Sequence, residues 1–180
     1  MVYVFLAEGF EEIEAVATID ILRRAGIDVV TVGIGSNVIT GAHGITVSTT
    51  IEDASLNGDE FDMAVLPGGT PGIYNLAKSR TVKKILRRAI KEDKYIAAIC
   101  AAPSILGQNG WLKGKKAVCY PGFESALEGA EIVDQPVVTD GKIITSKGAG
   151  TAMEFGFTLV SILCGGETAN KIRAGMQCQN

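Results

Sequence analysis

Tyr95-Ile96-Ala97-Ala98-Ile99-Cys100-Ala101-Ala102-Pro103-Ser104 is the stretch whose reading decides the fold. An apolar run breaks off at a cysteine, and small residues follow before a helical pattern resumes. Tyr95 to Ile99 reads as a short buried strand, approached through the charged residues Lys91 to Lys94. Pro103 suits the first turn of a helix, where its missing N–H costs nothing. Cys100 is therefore expected on a sharp strand-to-helix turn. Ala98 and Ala102 occupy the flanking positions where the nucleophile elbow of hydrolases carries glycines. Such a turn lifts a side chain clear of the sheet and aims a helix N-terminus at it, so that backbone N–H groups favour a thiolate and can hold an oxyanion. A buried structural cysteine is the competing reading, and the stretch by itself leaves both open.

Working outward, the same alternation of buried strand and helix recurs. Val2 to Ala7 is an apolar run ending in Glu8-Gly9-Phe10, and from Glu11 to Arg24 the residues Ile13, Val16, Ile19 and Leu22 recur at helical spacing until Gly26. Ile27 to Ile34 is β-branched and completes a β-α-β unit. Val38 to Thr50 reads as a hairpin-like excursion around Gly41 and Gly44, and Asp62 to Leu66 as another buried strand ending in Pro67-Gly68-Gly69-Thr70. Helical patterns follow at Ile73 to Ala77 and Val82 to Ile90. Beyond the elbow, a strand is expected over Lys116 to Cys119, a hairpin around Asp140-Gly141, a long helix over Thr151 to Leu163 and a short one over Glu167 to Ala174. Buried strands alternating with helices imply an α/β fold, a mostly parallel sheet covered on both faces. No linker or repeat divides the chain, so residues 1–180 read as one domain.

Composition narrows the function classes. With 47% hydrophobic and 21% charged residues the chain is a compact globule rather than a disordered segment. Its net charge of -3 and the lack of a Lys/Arg arm argue against a nucleic-acid or anionic-membrane partner. No apolar run reaches spanning length, and no signal-peptide pattern precedes the first strand. Four cysteines without CxxC spacing and a single histidine, His43, give no zinc signature. Gly148 to Gly150 lacks the lysine and hydroxyl of a phosphate loop, and Gly33 and Gly35 fall short of a dinucleotide fingerprint. The expectation is a reduced, cytoplasmic protein with no metal and no cofactor.

In such sheets, sites form beyond the carboxyl ends of the strands. Gly68 and Gly69 allow close backbone approach, so an N–H there could complete an oxyanion hole with Ala101, although an ordinary strand-ending turn would look the same. Glu11, Glu12 and Glu14 suit a helix N-terminus through the dipole alone. A Glu14 turned inward would come close enough to share a proton with Cys100. His43 reads as a surface loop histidine unless the fold carries it across to the cysteine.

On these residues the chain resembles the ThiJ/PfpI (DJ-one) superfamily, most closely the protein deglycase branch and its bacterial relatives. The matching pieces are Ala7 to Glu14, Arg23-Arg24-Ala25-Gly26, Leu66 to Gly69, Ala97 to Pro103 and Thr145 to Thr151, in family order along nearly the whole chain. The resemblance implies a flavodoxin-like three-layer sandwich. It makes Cys100 the reactive cysteine, Glu14 the glutamate at its sulfur, and Gly69 and Ala101 the backbone donors of the oxyanion site. Arg24 matches one of two basic residues of an anion-binding corner near a dimer interface, and His43 stands where the second is an arginine. Tyr120 stands where human-type members carry an active-site histidine. Ala101 stands where the peptidase branch has one, which argues against peptidase activity.

The resemblance further implies a cofactor-independent glyoxalase or protein deglycase, with methylglyoxal, related dicarbonyls or glycated protein as substrate. The alternative is a redox-sensing stress protein or holdase chaperone that uses oxidation of the same cysteine. A homodimer is expected through the first helix, whose Ile19, Ile21 and Leu22 exceed what one sheet face needs, with Arg24 near the partner's site.

Overall fold

The structure, a computed structural model, describes residues 1–57 and 60–178. In chain order its strands and helices are β1 (Val2–Leu6), α1 (Glu12–Arg24), β2 (Val29–Gly33), β3 (Val38–Thr40), β4 (Thr46–Ser48), β5 (Ile51–Glu52), β6 (Met63–Leu66), α2 (Gly72–Lys78), α3 (Arg80–Lys91), β7 (Tyr95–Ile99), α4 (Pro103–Gly107), β8 (Lys116–Ala117), β9 (Glu131–Ile132), β10 (Val137–Asp140), β11 (Ile143–Ser146), α5 (Ala152–Cys164) and α6 (Gly166–Gly175). Seven strands form one sheet in the order β10-β11-β7-β6-β1-β2-β5. All its pairings are parallel except the β10–β11 hairpin.

Side chains alternate across this sheet as the pleat requires. Val2, Val4 and Leu6 point to one face with Met63, Val65, Ala97 and Ile99, where α1 and α5 cover them with Ile21, Leu22, Phe155 and Leu159. Tyr3 and Phe5 point to the other with Ala64, Leu66, Ile96 and Ala98, under Leu76, Val82, Leu86 and Leu106 of α2, α3 and α4. The result is a three-layer, flavodoxin-like α/β sandwich. No helix among the described residues is long and apolar enough to cross a membrane.

Three details differ from the pattern in the sequence. The buried face of α1 is Glu14, Ala15, Thr18, Ile21 and Leu22, so Ile13 (57% exposed) and Val16 (46%) lie outside. Ile21 fills the notch at Gly156, where an added Cβ would come within 2.7 Å of its Cδ1, and this seats α1 in that rotation. Second, β8 stops at Ala117, because Val118 N–H turns to the Thr145 hydroxyl at 3.0 Å and Tyr120 N–H to the Cys100 carbonyl at 2.7 Å. Third, α4 spans only 5 residues. Gly107 presses so closely on the Ala126 carbonyl that no side chain would fit there.

Candidate active site

Cys100 leaves the end of β7 with φ 66°, the left-handed region that non-glycine residues seldom enter. Two backbone hydrogen bonds hold it there. Its N–H donates to the Ser146 carbonyl at 2.9 Å, and its carbonyl accepts from Tyr120 N–H at 2.7 Å. The strand-to-helix elbow read from the sequence is thus present. Its clamp comes from β11 and from the segment after β8, neither of which any local pattern indicated.

The first turn of α1 brings the carboxylate, and the neighbouring end of β6 holds it. Glu14 is 1% exposed, and its Oε2 accepts from Gly68 N–H at 2.7 Å. Gly68 in turn gives its carbonyl to Glu11 N–H at 3.0 Å, so the β6 loop and the first turn of α1 are stitched together. Glu11 also caps α1, accepting from Glu14 N–H at 2.7 Å. The second carboxyl oxygen of Glu14 is buried without a fixed hydrogen-bond partner, as is the Thr18 hydroxyl one turn further along the same face. Gly69 has φ 95°, which turns its N–H toward the cysteine. The amides of Gly69 and Ala101 both reach the Cys100 sulfur.

Electrostatics couple the two reactive groups. Burial pushes the Glu14 carboxyl up to about 7, opposed by its hydrogen bonds with Cys100 and Gly68. Burial also pushes the Cys100 thiol up to about 12, reinforced by the Glu14 charge and hydrogen bond and opposed by the Ala101 and Gly69 amides. The expected drop in thiol pKa therefore does not occur while Glu14 is ionised, since desolvation and a like charge outweigh two amides at the head of a short helix. The pair instead holds one proton between them through the neutral and mildly basic range. This suits a nucleophile and base that exchange that proton. Cys119 is buried with its thiol pushed up to about 11 by burial and then by Glu124.

His43 and Arg24 lie apart from the Cys100–Glu14 pair, and Tyr120 meets it only through its backbone N–H. Nδ1 of His43 lies 2.8 Å from Glu12 Oε2, and its N–H donates to Glu12 Oε1 at 2.7 Å. Arg24 pairs with Asp20 at 2.7 Å, at the other end of α1. Twelve residues at 1.5 Å rise separate Glu12 from Arg24 by about 18 Å, so one protomer does not form a basic corner from Arg24 and His43. Tyr120 is half exposed at the rim, with its ring against Gly148. Glu11, Glu12 and His43 hold potential ligand atoms within 4.8 Å of one another, but the ion pair with Glu12 already engages the imidazole. A concavity of about 670 Å³ lies at the opposite end of the sheet, among Met1, Asp28, Asp62, Tyr95 and Lys142, and includes none of these residues.

The His43–Glu12 contact gives a direct test. The Glu12 hydrogen bond and charge raise the His43 pKa above 6.5. Stability from this contact is therefore complete below the unfolded value and fades as pH rises through the raised one. In proton NMR, the chain's one histidine should titrate above 6.5 and fall back toward that value in Glu12→Gln. Titration at or below 6.5 in the unsubstituted protein would contradict the contact.

A family model described as DJ-1/PfpI family matches residues 1–162. The chain is 40% identical over 170 residues to Protein DJ-1 homolog B of Arabidopsis thaliana, covering 93% of this chain and 39% of that protein. It thus spans about two fifths of that relative's length. It is 32% identical over 166 residues to glutathione-independent glyoxalase DJR-1.2 of Caenorhabditis elegans, covering 92% of this chain and 89% of that one. Among solved structures, oxidized DJ-1 of Toxoplasma gondii superposes with a TM-score of 0.95 at 34% identity, covering 99% of this chain and 98% of the other.

Proposed function

The chain belongs to the DJ-1/PfpI family, and from that premise we propose that it is a cofactor-independent glyoxalase or deglycase acting on methylglyoxal, related dicarbonyls or their early adducts on protein. The observation that carries this reading is the Cys100 elbow set beside buried Glu14, whose carboxylate Gly68 N–H holds at 2.7 Å, with two amides at the sulfur. The name of the Caenorhabditis elegans relative supports the substrate class.

In the proposed cycle the Cys100 sulfur bonds to the aldehyde carbon as its proton passes to Glu14. The developing oxyanion rests on the Gly69 and Ala101 N–H groups. Glu14 returns that proton to the oxygen, giving a neutral hemithioacetal. The carboxylate then removes the hydrogen on that carbon as a proton and delivers it to the adjacent carbon. The hydroxyl proton on the first carbon passes to the ketone oxygen, so the ketone becomes an alcohol and the first carbon a thioester. Water hydrolyses the thioester, releasing lactate and restoring the thiol, so one methylglyoxal and one water give one lactic acid. Tyr120 serves at most as a hydrogen-bond donor, since a neutral phenol is a poor base.

Lactate formation from methylglyoxal by chelator-treated protein tests this reading, and absence of any turnover overturns it. Full turnover in Cys100→Ser would remove the cysteine from the nucleophile's role.

A second reading draws on the oxidized state of the Toxoplasma gondii relative. Oxidation of Cys100 to a sulfinate, hydrogen-bonded by protonated Glu14, would make the protein a redox sensor or stress chaperone. Mass spectrometry after graded peroxide separates the two. Dicarbonyl turnover with an oxidation-inert Cys100 excludes the sensor, and oxidation without turnover favours it. The working form we propose is a cytoplasmic homodimer with Arg24 reaching the partner's site. Ile21 and Leu22, expected to be surplus on α1, are buried in the core, and the exposed Ile13 and Val16 of that helix support the dimer instead.

A further inference from the structure

Helix α3 carries charges that a helix shaped by stability alone would avoid. Its 12 residues, Arg80-Thr81-Val82-Lys83-Lys84-Ile85-Leu86-Arg87-Arg88-Ala89-Ile90-Lys91, include six of the chain's 17 lysines and arginines and no acid. Val82, Ile85, Leu86 and Ala89 form its buried face. At 3.6 residues per turn, Arg80, Lys83, Lys84 and Arg87 share the opposite one. Arg80 and Lys83 sit at the positive end of the helix dipole, and the pairs three and four apart among the four repel. Arg88 is neutralised by Glu92 at 2.9 Å and Glu60 at 3.4 Å. Among the described residues, none of Arg80, Lys83, Lys84 and Arg87 has an ion pair. These four alone line a surface concavity of about 270 Å³.

We propose that this concavity is a binding site for a small, multiply phosphorylated anion. Two guanidinium forks and two ammonium groups match clustered phosphoryl oxygens better than isolated carboxylates. Single exposed ion pairs contribute little and are screened by salt, so only a ligand that engages several cations at once is held. The ligand is small because the rest of the chain carries 11 lysines and arginines against 20 acids, which would repel a long polyanion extending past α3. A free polyphosphate ester and a phosphoinositide headgroup present the same chemistry.

The test titrates the whole protein with inorganic triphosphate, orthophosphate and an acidic polyglutamate peptide, following backbone amides by NMR. Triphosphate should shift amides over 79–91, bind at least ~10-fold tighter than orthophosphate, and weaken several-fold between about 50 and 300 mM salt. Lys84→Glu with Arg87→Glu should reduce triphosphate affinity at least ~10-fold with no fall in melting temperature or in dicarbonyl turnover, because the swap relieves repulsion. Lys84→Gln with Arg87→Gln repeats the test should the reversal not fold. Capture by phosphatidylcholine vesicles containing a phosphoinositide, reversed by triphosphate, identifies the lipid headgroup as source, and no capture identifies a soluble anion. Equal affinity for orthophosphate, equal displacement by the peptide, shifts spread over other lysines, or unchanged affinity in the double variant would each overturn the site.

Discussion

Glu14→Gln should lower methylglyoxal turnover by about 10²–10⁴-fold, the usual contribution of a positioned base, and at the same time lower the Cys100 pKa. The amide keeps a donor toward the sulfur and an acceptor for Gly68 N–H, so the packing around residue 14 survives. What disappears is the negative charge that helps hold the thiol near 12, together with the carboxyl placed to move its proton. The same change should stabilise the protein in mild base. Glu14 has its folded pKa raised from 4.5 to about 7, so the native state holds a proton that the unfolded chain has released. Stability then falls as pH rises across that window, by an upper bound of about 3 kcal/mol. Glutamine removes that loss. At pH 8 the variant should melt higher, by at most about 6–12 °C, at about 2–4 °C per kcal/mol for a chain of this size. Thiolate absorbance, lactate formation and thermal melts of this one variant check all three parts. An unmoved thiol pKa would separate the carboxyl from the sulfur, and undiminished turnover would pass the shuttle to Tyr120 or to water.

Gly68→Ala should damage both the site and the fold. An added Cβ would lie 2.7 Å from the Cys100 Cβ, 2.8 Å from Glu14 Oε2 and 3.1 Å from the sulfur. None of these is the free end of a flexible side chain, so the β6 loop must withdraw. It then loses the hydrogen bond that Gly68 N–H donates to Glu14 and the one its carbonyl accepts from Glu11 N–H. Overpacking of this kind costs about 1–3 kcal/mol, which lowers the melting temperature by about 3–10 °C. Displacing reacting groups by fractions of an ångström should lower turnover about 100-fold. Gly150→Ala, with nothing within 4 Å of the added carbon, is the control and should change neither. Wild-type rates in Gly68→Ala would show that this close approach has no part in the chemistry.

The strands and long helices were legible because buried parallel strands are continuous apolar runs and their helices carry a strong period. The elbow was legible for the same reason: Ile99 ends a run, and Pro103 begins a helix. The rotation of α1 was not. Ile13, Val16, Ile19 and Leu22 make a stripe as regular as the one the fold buries, and the deciding partner, Gly156, lies 135 residues beyond Ile21 in the chain. The raised thiol pKa was also hidden, because local sequence indicates the amides at the sulfur but neither the burial nor the charge that opposes them. The α3 stripe escaped notice since its cations are interrupted by core residues and form no uninterrupted basic run.

The place of β1 in the sheet has a consequence for how the chain is made. Its five residues, Val-Tyr-Val-Phe-Leu, are all buried, between β2 on one side and β6 on the other. During synthesis β2 emerges soon after, and β1-α1-β2 can dock as a unit. At about 5–20 residues per second, β6 follows β1 by several seconds. Through that interval one side of an uncharged, strongly β-forming strand stays open to any passing chain. Slower growth at lower temperature, or a holding chaperone, should therefore improve soluble yield by protecting β1 until β6 has paired with it.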